Sequence, residues 1–133
     1  MIEKKVLFEE CKKARELACA PYSNFKVGAV VVLKNGELIH GANIENSAYS
    51  LCICAERTAI FQAYLKGYRK NDIEAIGLIG DSKKIVTPCG SCRQVMSELL
   101  DLKTPVYMFT VDGKELVQTV EQLIPFSFDS ENL

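Results

Sequence analysis

Two short segments of the sequence carry residue types that bind metals. One is CAE at residues 54–56, and the other is PCGSC at residues 88–92. Cys89 and Cys92 stand at i and i+3 near the predicted start of a helix, so one helical turn brings both sulfurs to the same side. Cys54 lies at the predicted start of another helix, where the partial positive charge of the N-terminus favours a thiolate. Since the chain has one histidine, we predict a metal centre made mostly of thiolates.

The glutamate beside the first cysteine indicates what such a centre could do. Three thiolates with one open position form a catalytic zinc site, whereas four closed ligands form a structural one. Glu56, two residues after Cys54, can face the open position without filling it. Water on zinc beside a carboxylate is a hydrolytic unit, in which the carboxylate takes the proton and hydroxide attacks an electron-poor carbon. We therefore predict Cys54, Cys89 and Cys92 as zinc ligands and Glu56 as the catalytic acid and base.

Three other interpretations of these cysteines stay open at the level of sequence. Cys52 could complete a closed four-cysteine structural zinc site, which would leave Glu56 as an ordinary carboxylate at a helix N-terminus. Cys89 and Cys92 could be a thioredoxin-like redox pair, which would leave Cys54 and Glu56 without a task. The cysteines could also be small buried hydrophobic residues, although the metal-type spacing of two pairs disfavours this.

Composition places this constellation in a globular chain. The 133 residues are 48% hydrophobic and 25% charged, which is typical of one folded domain over residues 1–133. Sixteen basic and seventeen acidic residues give a net charge of −1, which favours a small substrate over nucleic acid. No apolar run approaches the ~20 residues of a membrane span, and the mixed-charge start is unlike a secretory signal. We expect a cytoplasmic protein without disulfides and without membrane attachment.

The elements that must position the metal segments alternate between helices and strands. Helical spacing of Leu7, Cys11, Ala14 and Ala18 predicts a first helix that Pro21 ends. The remaining predicted helices are Ala55 to Lys66, Gly90 to Leu100 and a short turn from Val120 to Ile124. The predicted strands are Lys26 to Leu33, Leu38 to Asn43, Ala75 to Gly80, Pro105 to Thr110 and Lys114 to Val117. This order predicts a three-layer α/β/α sandwich with a central mixed five-stranded β-sheet.

Five segments, taken in order, resemble the cytidine deaminase family, specifically its short homotetrameric type. They are APYSNFKVGA at residues 20–29, GANIEN at 41–46, CAERTA at 54–59, PCGSCRQV at 88–95 and LIPFSF at 123–128. The resemblance covers about residues 10–133. Three cysteine ligands with a glutamate that is not a ligand also match the zinc-deaminase pattern. The resemblance implies hydrolytic deamination of cytidine and 2′-deoxycytidine to uridine and 2′-deoxyuridine, with one Zn²⁺ per subunit and release of ammonia.

The resemblance also implies how the substrate is held. Asn43 and Glu45 would hydrogen-bond the ribose, Phe25 would stack on the pyrimidine, and the backbone of Ala55 would help to read the base. Arg57 would donate hydrogen bonds to the thiolates and offset their negative charge.

A homotetramer with sites shared between subunits is implied as well. In the family a neighbouring subunit reaches into the site, and the matching positions here hold Ser47, Tyr49 and Phe128. Ser47 replaces an alanine of the family, a change that a backbone contact would tolerate.

Taken singly, these residues have ordinary interpretations. Asn43 and Glu45 could belong to a polar loop, and Phe25 could be a core residue. Arg57 could be a helix-surface residue in a salt bridge. Tyr49, Phe128, His40, Cys11 and Cys19 could be packing, interface or surface residues. A zinc deaminase of another nucleobase or of a nucleoside-like antibiotic is the alternative enzyme, and a structural zinc module is the alternative without catalysis.

Overall fold

The computed structural model describes residues 2–133 as a mixed sheet with helices on both faces. The strands are β1 (Val27–Leu33), β2 (Leu38–Ala42), β3 (Ile73–Gly80), β4 (Pro105–Phe109) and β5 (Glu115–Thr119). The helices are α1 (Lys4–Arg15), α2 (Ala55–Leu65), α3 (Gly90–Leu99) and α4 (Val120–Leu123). The predicted order of elements and the three-layer α/β/α architecture are confirmed.

The sheet places the starts of two helices on the same face. Its strand order is β2-β1-β3-β4-β5, in which β3 and β4 are parallel and the other neighbours are antiparallel. Parallel neighbours need a crossover, and α3 supplies it. The N-terminus of α3 therefore follows the carboxyl end of β3, which is where α/β folds commonly bind ligands.

Two apolar layers hold the helices to the sheet. Successive residues of a strand point to opposite faces, so both faces of β1 can be covered at once. Val30 and Val32 pack with Leu7 of α1, and Ala29 and Val31 pack in the cluster that includes α2 and α3. Burial on both faces explains why β1 reads as a continuous apolar run rather than as an alternating one.

The predicted end of the first helix is wrong. The helix ends at Arg15, well before Pro21, and Ala18 lies outside it. The Cys19 N–H donates to the Asn43 carbonyl at 2.9 Å, and the Glu45 N–H donates to the Cys19 carbonyl at 2.8 Å. Residues 16–18 bond three residues back in tight turns, and from Cys19 onward these long-range bonds replace the helical bonds that periodicity alone predicts. No helix within residues 2–133 is long and apolar enough to cross a membrane.

Candidate active site

Three cysteine sulfurs converge where α2 and α3 begin. Cys54 is the N-cap residue of α2, and Cys89 is the N-cap residue of α3. Cys92 lies in the first turn of α3 and is fully buried. The Cys54 and Cys89 sulfurs are 3.6 Å apart, and all three sulfurs lie within 4.8 Å of one another. The fold therefore joins two segments that are far apart in sequence.

The spacing of the sulfurs fits zinc. Zn–S bonds of about 2.3 Å in a tetrahedral arrangement put neighbouring sulfurs roughly 3.8 Å apart. The observed 3.6 Å between Cys54 and Cys89 is close to this distance, and thiolates are ligands that zinc prefers. Cys52 is not a member of the group, because its Sγ accepts from the Asn46 N–H at 3.3 Å. The geometry therefore favours three ligands with an open position over a closed four-cysteine site.

A hydrogen bond between the Cys54 and Cys92 thiols shifts the pKa values of both groups. Hydrogen bonding from Cys92, helped by Arg57 and Cys89, lowers the pKa of the Cys54 thiol to about 5. The same hydrogen bond to Cys54, together with burial, raises the pKa of Cys92. Metal binding to such a cluster releases the remaining protons, since the ligand form of cysteine is the thiolate.

Glu56 has the properties of a proton carrier. It lies in the first turn of α2, is only 4% exposed and lines the same cleft as Cys54 and Cys89. Burial raises the pKa of its carboxyl group to about 7. A carboxyl group with a pKa near the working pH can both accept and donate a proton.

Arg57 faces sulfur. Its Nη2 is 3.5 Å from the Cys54 Sγ, and hydrogen bonding to Cys54 raises the pKa of the guanidinium further. Its buried Nε has no hydrogen-bond partner among residues 2–133. This placement suits a cation that offsets the negative charge of three thiolates.

Gly41 allows α2 to sit directly on β2, a contact that sequence reasoning missed. A Cβ at Gly41 would lie 2.5 Å from the Ala59 nitrogen and 2.6 Å from the Ala55 oxygen. Thr58 Oγ1 also accepts from the Ala42 N–H at 3.0 Å. A glycine inside a predicted strand was the available signal, because it often marks a close approach of backbone. The contact fixes the turn of α2 that carries Glu56.

The cleft beside the sulfurs has a volume of about 270 Å³. Ala55, Asn43 and Glu45 line it together with Glu56 and the ligands Cys54 and Cys89. It is therefore a concave site in which the Glu56 carboxyl group, two of the three sulfurs and polar side chains face one space, as expected of a binding site for a small molecule.

Asn43 and Glu45 also organise the chain before β1. Asn43 Oδ1 accepts from the Val27 N–H at 2.8 Å, and its Nδ2 donates to the Phe25 carbonyl at 2.8 Å. Glu45 Oε1 accepts from the Tyr22 and Ser23 N–H groups at 3.0 and 3.1 Å. Its Oε2 accepts from the Ser23 hydroxyl, and this bond and those backbone bonds lower the pKa of Glu45. The carboxylate is thus held ionised at the cleft.

Four of the predicted substrate-binding residues do not line this cleft. Phe25 lies beside Gly80, where its Cζ would be 3.2 Å from an added Cβ. Tyr49 and Phe128 are 75% and 56% exposed, and Ser47 is exposed as well. The chain therefore brings together the metal group, Glu56, and the ribose candidates, but not the residues expected from a neighbouring subunit.

The single histidine, His40, and two further cysteines, Cys11 and Cys19, are not part of the sulfur group. His40 Nε2 is 2.8 Å from Glu10 Oε1 and links β2 to α1. Cys11 is buried beneath the sheet, and Cys19 is exposed. Neither cysteine is part of the metal group.

Comparison with known proteins assigns this geometry to a family. The sequence model of the family described as the cytidine and deoxycytidylate deaminase zinc-binding region matches residues 1–108. The chain belongs to this deaminase family. Membership and the group formed by Cys54, Cys89 and Cys92 together support one zinc ion per subunit.

Relatives within the deaminase family match almost the whole chain. Cytidine deaminase of Halalkalibacterium halodurans is 46% identical over 132 residues, which are 99% of this chain and 98% of the relative. The crystal structure of cytidine deaminase from Burkholderia pseudomallei is 45% identical, with a TM-score of 0.93 over 96% of this chain and 100% of the other. The crystal structure of cytidine deaminase from Mycobacterium tuberculosis is 26% identical, with a TM-score of 0.82 over 97% of this chain and 99% of the other. The fold is therefore that of cytidine deaminases.

Proposed function

We propose that this protein catalyses the hydrolytic deamination of cytidine and 2′-deoxycytidine to uridine and 2′-deoxyuridine, with release of ammonia. The observation that carries the proposal is the buried Glu56, which lines one cleft with Cys54 and Cys89, two members of the three-sulfur group. Two relatives named cytidine deaminase are 46% identical to the chain, which adds support.

The mechanism assigns each proton transfer to Glu56. Zinc held by the three thiolates supplies Lewis acidity that makes water nucleophilic near neutral pH. The Glu56 carboxylate takes a proton from the attacking water and delivers it to ring N3 as the water oxygen bonds to C4. Glu56 then moves the second proton of the water to the exocyclic nitrogen, which leaves as ammonia. A pKa of about 7 suits a group that acts first as base and then as acid.

The substrate contacts follow from the cleft and the family resemblance. Asn43 and Glu45 would hydrogen-bond the ribose, and the Ala55 backbone would contact the base. Phe25, whose ring lies near Gly80, would stack on the pyrimidine. The ionised Glu45 would repel a 5′-phosphate, so we propose a nucleoside rather than a nucleotide as substrate.

Assembly is proposed from the resemblance and from exposure. Tyr49 and Phe128, which match family positions at subunit contacts, are large aromatic residues that are well exposed in the single chain. We infer a homotetramer in which Ser47, Tyr49 and Phe128 of a neighbouring subunit complete the cleft. We further propose that residues 1–133 form one zinc-dependent domain that acts in the cytoplasm, in pyrimidine salvage.

Product analysis with zinc-loaded protein tests the reaction. Cytidine should give uridine and ammonia in equal amounts, and 2′-deoxycytidine should give 2′-deoxyuridine. Glu56→Gln should keep zinc and fold, while kcat falls by about 100-fold to 10,000-fold, the range for loss of a general acid or base. High activity in this variant would refute the role of Glu56. Deamination of another nucleobase, or of deoxycytidylate, by a protein inert toward cytidine would refute the substrate assignment.

A further inference from the structure

Arg93 joins two segments of the site that are distant in sequence. It follows the ligand Cys92 directly, in the first turn of α3. Its Nε donates to the Pro88 carbonyl at 2.8 Å, and its Nη1 donates to the Leu123 carbonyl at 2.7 Å. The planar guanidinium fixes the relative directions of its donors, so these two bonds constrain the distance between the two carbonyls.

The first of these bonds acts on the approach to Cys89. Residues 85–89 form no regular secondary structure, and Cys89 is an exposed residue at the start of α3. The Pro88 carbonyl lies one residue before Cys89, and Arg93 holds it from the following helical turn. Cys92 is fully buried, whereas the backbone around the exposed Cys89 is held by this side-chain bond and by the bond from the Arg93 N–H to the Cys89 carbonyl at 2.9 Å.

The second bond acts on the C-terminal segment, residues 123–128. Leu123 is the last residue of α4, and the last carbonyls of a helix lack partners within the helix. Arg93 supplies a charged donor there, which is favourable at a helix C-terminus. The neighbouring Gln94 Nε2 donates to the Phe128 carbonyl at 3.0 Å. The first turn of α3 thus holds the C-terminal segment at both ends.

We propose that Arg93 is a positioning residue that couples zinc binding at Cys89 to the placement of the C-terminal segment. When zinc fixes Cys89, the Pro88 carbonyl and hence Arg93 are fixed, and the Leu123 carbonyl keeps its partner. Coupling of this kind is reciprocal, so a well-placed C-terminal segment also strengthens zinc binding. The consequence for catalysis, presentation of Phe128 to a neighbouring cleft, rests on the proposed function; the coupling itself does not.

Two arginines of this chain allow a matched experiment. Arg93→Met removes both hydrogen bonds and keeps most of the apolar stem. Arg69 also donates to two backbone carbonyls, those of Tyr64 at 3.0 Å and Tyr68 at 2.7 Å, but neither belongs to the zinc site or the C-terminal segment. Arg69→Met is therefore the control. Zinc affinity is measured by competition with a chelator, and exchange of backbone amides in residues 123–128 is measured with and without zinc.

In the native protein, removal of zinc should increase amide exchange in residues 123–128. Arg93→Met should weaken zinc binding by about 10-fold to 100-fold, the usual loss when a group that orients a ligand is removed. Its C-terminal segment should exchange rapidly whether zinc is present or absent. Arg69→Met should keep native zinc affinity and the zinc-dependent protection. Gln94→Ala should raise exchange near Phe128 and, because the coupling is reciprocal, should weaken zinc binding less than Arg93→Met does.

Native zinc affinity together with zinc-dependent protection in Arg93→Met would overturn the coupling. If that variant does not fold, Arg93→Lys carries the same test, since it keeps the charge but cannot span both carbonyls with a planar fork. Neither readout needs turnover. Absence of cytidine turnover by the native protein would therefore refute the proposed function, while zinc affinity and amide exchange would still decide the role of Arg93.

Discussion

The metal wall of the cleft and a group of exposed residues that we propose as its rim differ in how completely one chain builds them. The metal wall consists of Cys54, Glu56, Arg57, Cys89 and Cys92. Its sulfurs lie within 4.8 Å of one another, and its glutamate is nearly inaccessible to water. Each of its residues lies at or near the start of α2 or α3, and both helices pack on the sheet. The wall is therefore a property of the folded single chain.

The rim consists of Ser47, Tyr49 and Phe128. All three are exposed, and none lines the cleft of this chain. They lie outside the main helices and strands, on the loop before α2 and on the segment after α4. We therefore propose that the chemistry and the enclosure of the substrate have different structural origins. Secondary structure packed on a sheet supplies the chemistry, and we propose that assembly supplies the enclosure.

Removal of one sulfur is expected to have the largest effect on the metal wall. Cys54→Ala should abolish stoichiometric zinc binding and, with it, all turnover, because the site loses one of three ligands. Cys52→Ala is the matched control, since Cys52 bonds to Asn46 instead of joining the sulfur group. It should retain one zinc per chain by metal analysis. Loss of zinc in the Cys52 variant would instead support a closed four-cysteine site.

The buried carboxyl group should leave a signature in the pH dependence of stability. In the zinc-free folded protein the pKa of Glu56 is about 7, against an ordinary 4.5. Between these values the Glu56 carboxyl binds more protons in the folded state than in the unfolded state, so its contribution to stability falls as pH rises. Relative to Glu56→Gln, the native protein should lose on the order of 3 kcal/mol over this interval. Urea unfolding of both zinc-free proteins measures the difference, and parallel pH curves would contradict it.

A substitution in the rim should lower kcat/KM by less than one in the metal wall, and mixing of variant chains should partly reverse the loss. Phe128→Ala should lower kcat/KM by roughly 10-fold, as expected for loss of one aromatic contact worth about 1.4 kcal/mol. Co-assembly with Glu56→Gln chains should raise turnover, because a site with Glu56 from one chain and Phe128 from another is intact.

Co-assembly of Cys54→Ala with Glu56→Gln is the matching control for the mixing experiment. Both defects lie in the metal wall, so mixing should restore nothing. Equal behaviour of the two mixtures would show that Phe128 acts within its own chain, and the distinction between wall and rim would be wrong.

Local sequence determined much of this protein. The i and i+3 spacing of Cys89 and Cys92 at a helix start predicts a shared direction for their side chains because helical geometry is local. Apolar runs and turn residues predicted all five strands with ends within about two residues, the usual uncertainty of such boundaries. The first helix was predicted to extend too far, because Cys19 bonds to Asn43 and Glu45, which are distant in sequence, instead of continuing the helix.

Only the tertiary structure decided how the segments meet. Helix α2 and strand β3 lie between Cys54 and Cys89 in the sequence. The 3.6 Å distance between the two sulfurs therefore depends on the packing of α2 and α3 on one face of the sheet. The raised pKa of Glu56 likewise comes from burial, a property of the surroundings rather than of the residue. Arg93 carries no local signal, because the two carbonyls it holds become neighbours only after folding. Spacing along a helix is fixed by local backbone conformation and hydrogen bonding, whereas distances between elements are fixed by the core that packs them together.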